Sequence, residues 1–106
     1  MERTHAGSPD RSRQTHRGPA VVAGLGQCSL DYLCTIDQYP PVDTKCEFND
    51  FLVQGGGPVA TALVVLARWG ISARFAGVVC RDRFGGVILE GLEDEQVDTS
   101  AVRIER

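Results

Sequence analysis

The feature that most constrains the fold is an almost wholly apolar helix that follows three glycines, in the stretch QGGGPVATALVVLARWG. Pro58 suits the start of this helix, because a proline at the first helical position loses no hydrogen bond. Gly70 is a typical residue just past a helix C-terminus. A helix with almost no polar face is normally packed between other elements. We therefore predict a buried helix over residues 58–69, with bare glycine backbone at its start.

Short apolar runs alternate with helices along the rest of the chain. Residues 19–26 predict a strand that is buried on both faces, and residues 71–79 predict a second strand. Asp82 is a candidate N-cap for an amphipathic helix, and residues 97–106 predict a turn followed by another strand. Strands that alternate with helices indicate an α/β fold whose parallel sheet is connected by right-handed crossovers.

The segment between the first strand and the glycines looks β-like but not core-like. Residues 31–37 alternate roughly between apolar and polar, and residues 45–53 do so again. Pro40 and Pro41 interrupt any regular element between them. Alternation is typical of strands with one solvated face, so we predict a small, half-buried β-ribbon here.

Residues 1–18 differ from the rest of the chain. They are rich in Arg, His, Ser, Gly and Pro and contain no apolar cluster, so we predict a disordered tail without the apolar centre of a secretory signal. The net charge of −3 gives no basic signature for nucleic acid. No apolar run reaches the roughly 18 residues of a membrane span. We therefore expect a cytoplasmic protein whose partners include neither nucleic acid nor a membrane.

The cysteines do not form a metal-binding pattern. Cys28, Cys34, Cys46 and Cys80 include no pair with Cys-x-x-Cys spacing, and the histidines lie within residues 1–18. We therefore expect no metal site. Free thiols in a reducing compartment are the simpler interpretation.

Two glycine-rich stretches each allow more than one interpretation. GLGQCS approaches the dinucleotide-binding fingerprint after a strand, but Ser29 replaces the third glycine and a β-like segment follows where that motif needs a helix. A nicotinamide-dependent enzyme stays an alternative. QGGGPVAT lacks the Gly-Lys-Ser/Thr ending of a P-loop, so its glycines form either a flexible turn or a cradle for another ligand.

Asp31 lies a few residues beyond the first predicted strand. Ligands of open α/β sheets bind beyond the carboxyl ends of the strands. A carboxylate in that position can accept hydrogen bonds from two neighbouring hydroxyls, which is one way to hold a polyol. A solvated aspartate in a turn is the alternative.

Taken together, four stretches resemble the N-terminal part of a ribokinase-like (PfkB-type) carbohydrate kinase in their order and spacing. They are VVAGLGQCSLDYLCTIDQYPPVDTK, QGGGPVATALVVLARWG, RFAGVVCRDRFGG and EQVDTSAV. The resemblance implies a three-layer α/β sandwich within residues 19–106, with a small β-lid at about residues 33–53. It also implies transfer of the γ-phosphoryl group of ATP, with Mg²⁺, to a hydroxyl of a sugar or related polyol.

The resemblance also implies a set of substrate-binding residues. Asp31 matches the family's sugar-binding aspartate, and Ser29 falls where many members have an asparagine that touches the sugar. Gly56 and Gly57 match the glycine pair whose backbone lies against the sugar. Thr61 falls where the family usually has a substrate-contacting asparagine. On this interpretation the glycines cradle a sugar rather than a phosphate.

Two departures from the family pattern matter for function. Cys80 and Arg81 stand where the family usually reads Gly-Asp, which alters the turn after the strand. The family's catalytic aspartate, its Gly-Ala-Gly-Asp segment and its ATP pocket have no counterpart here. We therefore interpret the chain as an N-terminal fragment that alone binds neither ATP nor Mg²⁺ and is inactive. The alternative is a non-catalytic, truncated sugar-binding or dimerisation module, with a homodimer formed through the lid.

Overall fold

The computed structural model describes residues 20–106, so the tail predicted at residues 1–18 lies outside the described part. The chain forms five strands and two helices. In chain order they are β1 (Val21–Leu25), β2 (Ser29–Thr35), β3 (Asp50–Gly56), α1 (Pro58–Arg68), β4 (Ser72–Cys80), α2 (Arg83–Asp94) and β5 (Asp98–Glu105).

The predicted parallel sheet is confirmed. Its three strands lie in the order β1-β4-β5, and both neighbouring pairs are parallel. Helix α1 connects β1 to β4 by way of the ribbon, and α2 connects β4 to β5. Parallel neighbours need such crossover connections, which places the carboxyl ends of all three strands at one edge of the sheet.

The core lies between one face of this sheet and the two helices. Along β4 the inward-facing Ala73, Phe75 and Val79 are buried, and Phe75 is fully so. Ala73 and Phe75 pack with Ala60 and Leu63 of α1, and Leu92 of α2 joins the same cluster. Because the buried residues of β4 alternate, both helices must cover the same face.

Helix α1 is less enclosed than its sequence predicts. It buries Ala60 and Leu63, but Val65 and the adjoining Trp69 are exposed. Within residues 20–106 the helix is therefore buried along one side, and its other side faces solvent. The opposite face of the sheet also shows apolar side chains to solvent, among them Val21, Leu25 and Val78.

The glycines of GLG serve a packing role. A Cβ on Gly24 would lie 2.7 Å from Val59 Cγ1, and one on Gly26 would lie 2.5 Å from Val59 Cγ2. Bare backbone at both positions therefore lets α1 approach β1 closely. The residues that follow form β2, a strand, so the stretch has no helix N-terminus to receive a pyrophosphate.

The second sheet is the antiparallel β2–β3 ribbon. Its register pairs Ser29 with Gly56, Asp31 with Gln54 and Leu33 with Leu52. Strand β3 begins at Asp50, and residues 45–48 have no regular structure, so the second strand starts later than the alternation predicts. Asp31 lies on β2, within the predicted ribbon, and Gly55 and Gly56 end β3, where the sequence allowed a flexible turn.

Ion pairs join neighbouring elements at the surface. Arg68 of α1 donates to Glu95 just after α2, and its hydrogen bond lowers the pKa of that carboxyl. Arg74 of β4 donates to Asp98 of β5 over 2.8 Å. Hydrogen bonds from Ser100, followed by the one from Arg74, lower the pKa of Asp98 to about 2. Neither helix of residues 20–106 is long and apolar enough to cross a membrane.

The end of α2 contains a strained residue. Gln96 has φ 63°, and its N–H donates to the carbonyl of Glu93 while that of Val97 donates to the carbonyl of Leu92. This is a helix-ending turn that favours glycine. The end of α1 has glycine at the matching place, Gly70 with φ 82°.

We predict that Gln96→Gly stabilises the fold. A left-handed conformation costs a residue with a Cβ about 1–2 kcal/mol, and part of the gain is offset by the greater flexibility of glycine in the unfolded chain. We therefore expect the free energy of unfolding to rise by about 0.5–1 kcal/mol, measured by urea denaturation with circular dichroism. Gln96→Ala keeps the Cβ and serves as the control. Equal stability of the two variants would contradict this account.

Candidate functional site

A cavity of about 490 Å³ lies beneath the base of the ribbon, between α1 and α2. Three of the predicted site residues line it, namely Ser29 of β2, Gly56 of β3 and Thr61 of α1. Gly57 follows Gly56 in the chain. The carboxyl group of Asp31 lies against Gly56 across the ribbon. The site therefore forms where β1 ends, the ribbon leaves the sheet and α1 begins.

The Asp31 carboxylate is held by two neighbours. The Ser29 hydroxyl donates to its Oδ1 over 2.8 Å. On the adjacent strand Gly56 is buried, and a Cβ there would overlap the Asp31 carboxyl group. The bare backbone of Gly56 is thus what allows this orientation of the carboxylate.

Gly57 turns the backbone from the ribbon into α1. Its φ is 93°, and a Cβ would lie 2.7 Å from both the Cα of Cys28 and the carbonyl oxygen of Gln27. Conformation and space therefore both require glycine. This residue does not line the cavity, and its part in the site is to set the direction in which the helix starts.

The start of α1 offers little to a phosphate. The N-cap residue, Gly57, makes no side-chain cap, and Pro58 at the first position has no N–H. The N–H of Ala60 donates to the carbonyl of Gln27 over 3.3 Å. Helix N-termini bind anions mainly through free first-turn N–H groups, so this one is better suited to a neutral ligand. Thr61 follows in the first turn, with its side chain exposed at the cavity.

The far end of the cavity runs between the two helices. Its walls there are apolar, with Val64 and Val65 on α1 and Ile88 and Leu92 on α2. This far end also carries the Arg68–Glu95 ion pair, in which two guanidinium nitrogens donate to the two carboxylate oxygens. The positive charge of Arg68 is thus already paired with the carboxylate of Glu95.

The cysteines and acidic residues do not assemble a metal centre in residues 20–106. All four thiols are free. Cys28 lines the cavity, and burial raises the pKa of its thiol, which keeps it neutral at physiological pH. It contributes a small apolar surface to the site rather than a nucleophile.

Gln54 is a polar cavity residue that the sequence did not single out. Gln54 lies directly opposite Asp31 in the ribbon and lines the cavity with Ser29 and Thr61. The alternation of side chains along β3 could have placed Gln54 at the cavity. If residues 50–56 form one strand paired with β2, the residue two before Gly56 shares its face. The alternation in the sequence predicts a strand that ends at residue 53, which leaves Gln54 in the glycine turn.

The departure at Cys80 and Arg81 is accommodated without a left-handed backbone. Among residues 20–106 the residues other than glycine with positive φ are Asp43 and Gln96. Cys80 instead ends β4, and the N–H of Arg81 donates to the carbonyl of Glu105. The turn begins only at Asp82, whose carboxylate caps α2 by accepting from the N–H of Gly85, as predicted.

Comparisons with known proteins agree with this geometry. The model of the pfkB family carbohydrate kinases matches residues 22–106. Mouse (Mus musculus) ribokinase is 29% identical over 93 residues, which are 88% of this chain and 28% of that protein. The chain therefore spans little more than a quarter of the length of this curated relative.

Solved structures show the same fold. A proposed ribokinase from Agrobacterium tumefaciens superposes with a TM-score of 0.76 at 28% identity, covering 82% of this chain and 28% of that one. Arabidopsis thaliana ribokinase, solved with ribose and ATP, gives a TM-score of 0.67 at 23% identity, covering 85% of this chain and 29% of that one. The predicted ribokinase-like α/β fold is thus confirmed.

We predict that Gly56→Ala displaces the Asp31 carboxylate. The added methyl needs the space of that flexible side chain, so the Ser29–Asp31 hydrogen bond should break at a cost of about 1 kcal/mol in unfolding free energy. Gly55→Ala is the matched control, because a Cβ there meets nothing within 4 Å. It should change stability by less than about 0.5 kcal/mol.

A double-mutant cycle separates this mechanism from general strain. In an Asp31→Ala background the methyl of Gly56→Ala has no carboxyl group to displace, so its cost should vanish. Urea unfolding of the four proteins measures this. An undiminished cost in that background would show that the backbone, not Asp31, resists the methyl.

Proposed function

Because the chain belongs to the pfkB family of carbohydrate kinases, we propose that it supplies the sugar-binding part of a kinase. That enzyme would transfer the γ-phosphoryl group of ATP to a hydroxyl of a sugar or related polyol. The observation that carries the proposal is the Asp31 carboxylate, fixed by Ser29 and Gly56 beside a cavity that Thr61 also lines.

The chemistry of these side chains fits a hydroxyl-rich ligand. An ionised carboxylate is a pure acceptor with room for several hydrogen bonds, and Ser29 occupies only one of its positions. A sugar can therefore donate two neighbouring hydroxyls to Asp31 while Thr61 meets a third oxygen. Phosphoryl transfer depends mainly on positioning, and in this proposal these residues orient the hydroxyl that accepts the phosphoryl group.

The residues present do not fit ATP and Mg²⁺. Residues 20–106 contain no group of three or more potential metal ligands, and in the first turn of α1 Pro58 has no N–H while that of Ala60 donates to Gln27. When bound, ATP supplies the phosphoryl group and Mg²⁺ offsets its charge. We place both outside residues 20–106. The chain alone should then give no sugar-dependent ATP consumption above a no-enzyme control.

A second candidate function is a non-catalytic module that binds sugar or dimerises through the ribbon. It is favoured by the exposed apolar face on which Tyr32, Phe48 and Phe51 make tilted ring contacts, with centroids 5.5 and 5.8 Å apart. Exposed aromatic clusters of this kind mark interaction surfaces. Sedimentation equilibrium should then show a dimer that Phe51→Ser weakens. A monomer at all concentrations would exclude dimerisation through the ribbon. The free cysteines suit a cytoplasmic location, which we also propose.

We predict that Asp31→Asn impairs sugar binding by the chain. The substitution removes the charge that strengthens hydrogen bonds from the sugar, worth about 1.5–3 kcal/mol, so affinity should fall roughly ten- to hundredfold. The measurement is a titration of ¹⁵N-labelled protein with a panel of pentoses, hexoses and nucleosides, following the backbone amides of Gly56 and Thr61 by NMR. Asp43→Asn, in the exposed loop between β2 and β3, is the charge-matched control. Equal sugar affinity of both variants would contradict the proposed role of Asp31 in sugar binding.

A further inference from the structure

Gln54 faces the same ligand space as the Asp31 carboxylate. The two residues are directly opposed in the β2–β3 ladder, and opposed residues of an antiparallel pair share one face with Cβ atoms about 4.5–5.5 Å apart. Gln54 also lines the cavity, together with Ser29, Gly56 and Thr61. Its side chain is exposed rather than packed into the core, so it is open to a ligand.

The other polar groups around this space are mostly acceptors or already engaged. Asp31 accepts only, and the Ser29 hydroxyl gives its proton to that carboxylate. At the far end Arg68 donates to both carboxylate oxygens of Glu95. Thr61 keeps one rotatable O–H. The side-chain amide of Gln54 brings two N–H donors and is therefore the main side-chain source of N–H groups for a ligand beside Asp31.

A cyclic sugar needs the N–H donor of Gln54 more than an open-chain polyol, whose oxygens are all hydroxyls. A hydroxyl can rotate and donate to Asp31 or to another acceptor. The ring oxygen of a cyclic sugar has no proton and can only accept. If it enters the cavity without a donor opposite it, it loses its hydrogen bond to water without replacement, which costs binding free energy.

We propose that Gln54 is a specificity-determining residue that donates to the ring oxygen and so selects cyclic sugars over open-chain polyols. The inference rests on the proposed sugar-binding function and names the form of the substrate. A carboxylate is a less suitable acceptor here, because Asp94 and Glu95 line the same cavity and Asp31 borders it. The ligand oxygen opposite Gln54 is therefore a neutral one.

The test compares two matched ligand pairs, D-ribose with ribitol and D-fructose with D-glucitol. The ¹⁵N-labelled 106-residue chain is titrated with each while NMR follows the backbone amides of Gly56 and Thr61 and the side-chain amide of Gln54. We expect the cyclic member of at least one pair to bind more tightly and to shift the Gln54 side-chain signals. Its acyclic partner should shift them much less.

Gln54→Glu is the decisive variant, because it keeps the size of the side chain but replaces the donor with an acceptor. Affinity for the cyclic sugar should fall roughly two- to tenfold, whereas affinity for the polyol should stay within about twofold because its hydroxyls can turn to donate. Gln38→Glu makes the same charge change in the loop between β2 and β3, at a separate cavity, and should leave both affinities unchanged. Superimposable amide spectra of the free proteins verify that the variants fold alike.

The outcomes separate this inference from the proposed function. If sugars move the Gly56 and Thr61 signals but Gln54→Glu weakens both members of each pair equally, the ring-oxygen role is overturned and the sugar site stands. If the polyols bind as tightly as the cyclic sugars, the selectivity is likewise refuted. If no sugar or polyol moves the Gly56 and Thr61 signals, the proposed function and this inference both fail.

Discussion

The close packing of α1 on β1 is the contact on which the site depends. Val59 occupies the space that side chains at Gly24 and Gly26 would fill, and Leu63 packs against Gly24 as well. This steric fit sets the height of the helix above the sheet. Because Gly57 and Thr61 belong to the start of the same helix, it also sets how far the site's floor lies from the ribbon. A side chain at Gly24 would lift α1 and open the cavity at its base.

The site combines a rigid floor with a wall that carries few core contacts. Gly57 is confined by its positive φ and by the backbone of Gln27 and Cys28, whereas both strands of the ribbon are largely exposed. Elements with little buried surface open most easily. The Ser29 hydrogen bond to Asp31 keeps the carboxylate oriented within this exposed ribbon, so less ordering remains to be done when a ligand binds.

The sequence predicted the elements well where one local rule decided them. Proline at the helix start and glycine at its end predicted α1 nearly at its observed bounds, and the Asp82 cap predicted the start of α2. Sequence-based prediction failed where pairing with another strand decides whether a residue belongs to a strand. Glycine normally weakens a strand, so residues 55 and 56 looked like a turn, yet pairing with Leu30 and Ser29 keeps them in β3. Gln54 was missed for the same reason, since its face is set by β2 rather than by its own neighbours.

The distribution of chemistry along the chain follows from this architecture. The resemblance predicts three layers, and residues 20–106 supply the sheet and one helical layer, leaving Val21, Leu25 and Val78 bare on the other face. An apolar face of this kind is stable only when something covers it. The residues proposed to hold a sugar hydroxyl, by contrast, lie on the other side of the molecule's sheet: Ser29 and Gly56 contact Asp31 within the ribbon, and Thr61 of α1 lines the same cavity. In the proposed function, recognition of the sugar therefore belongs to these elements, and the nucleotide and metal that phosphoryl transfer needs are held by other residues.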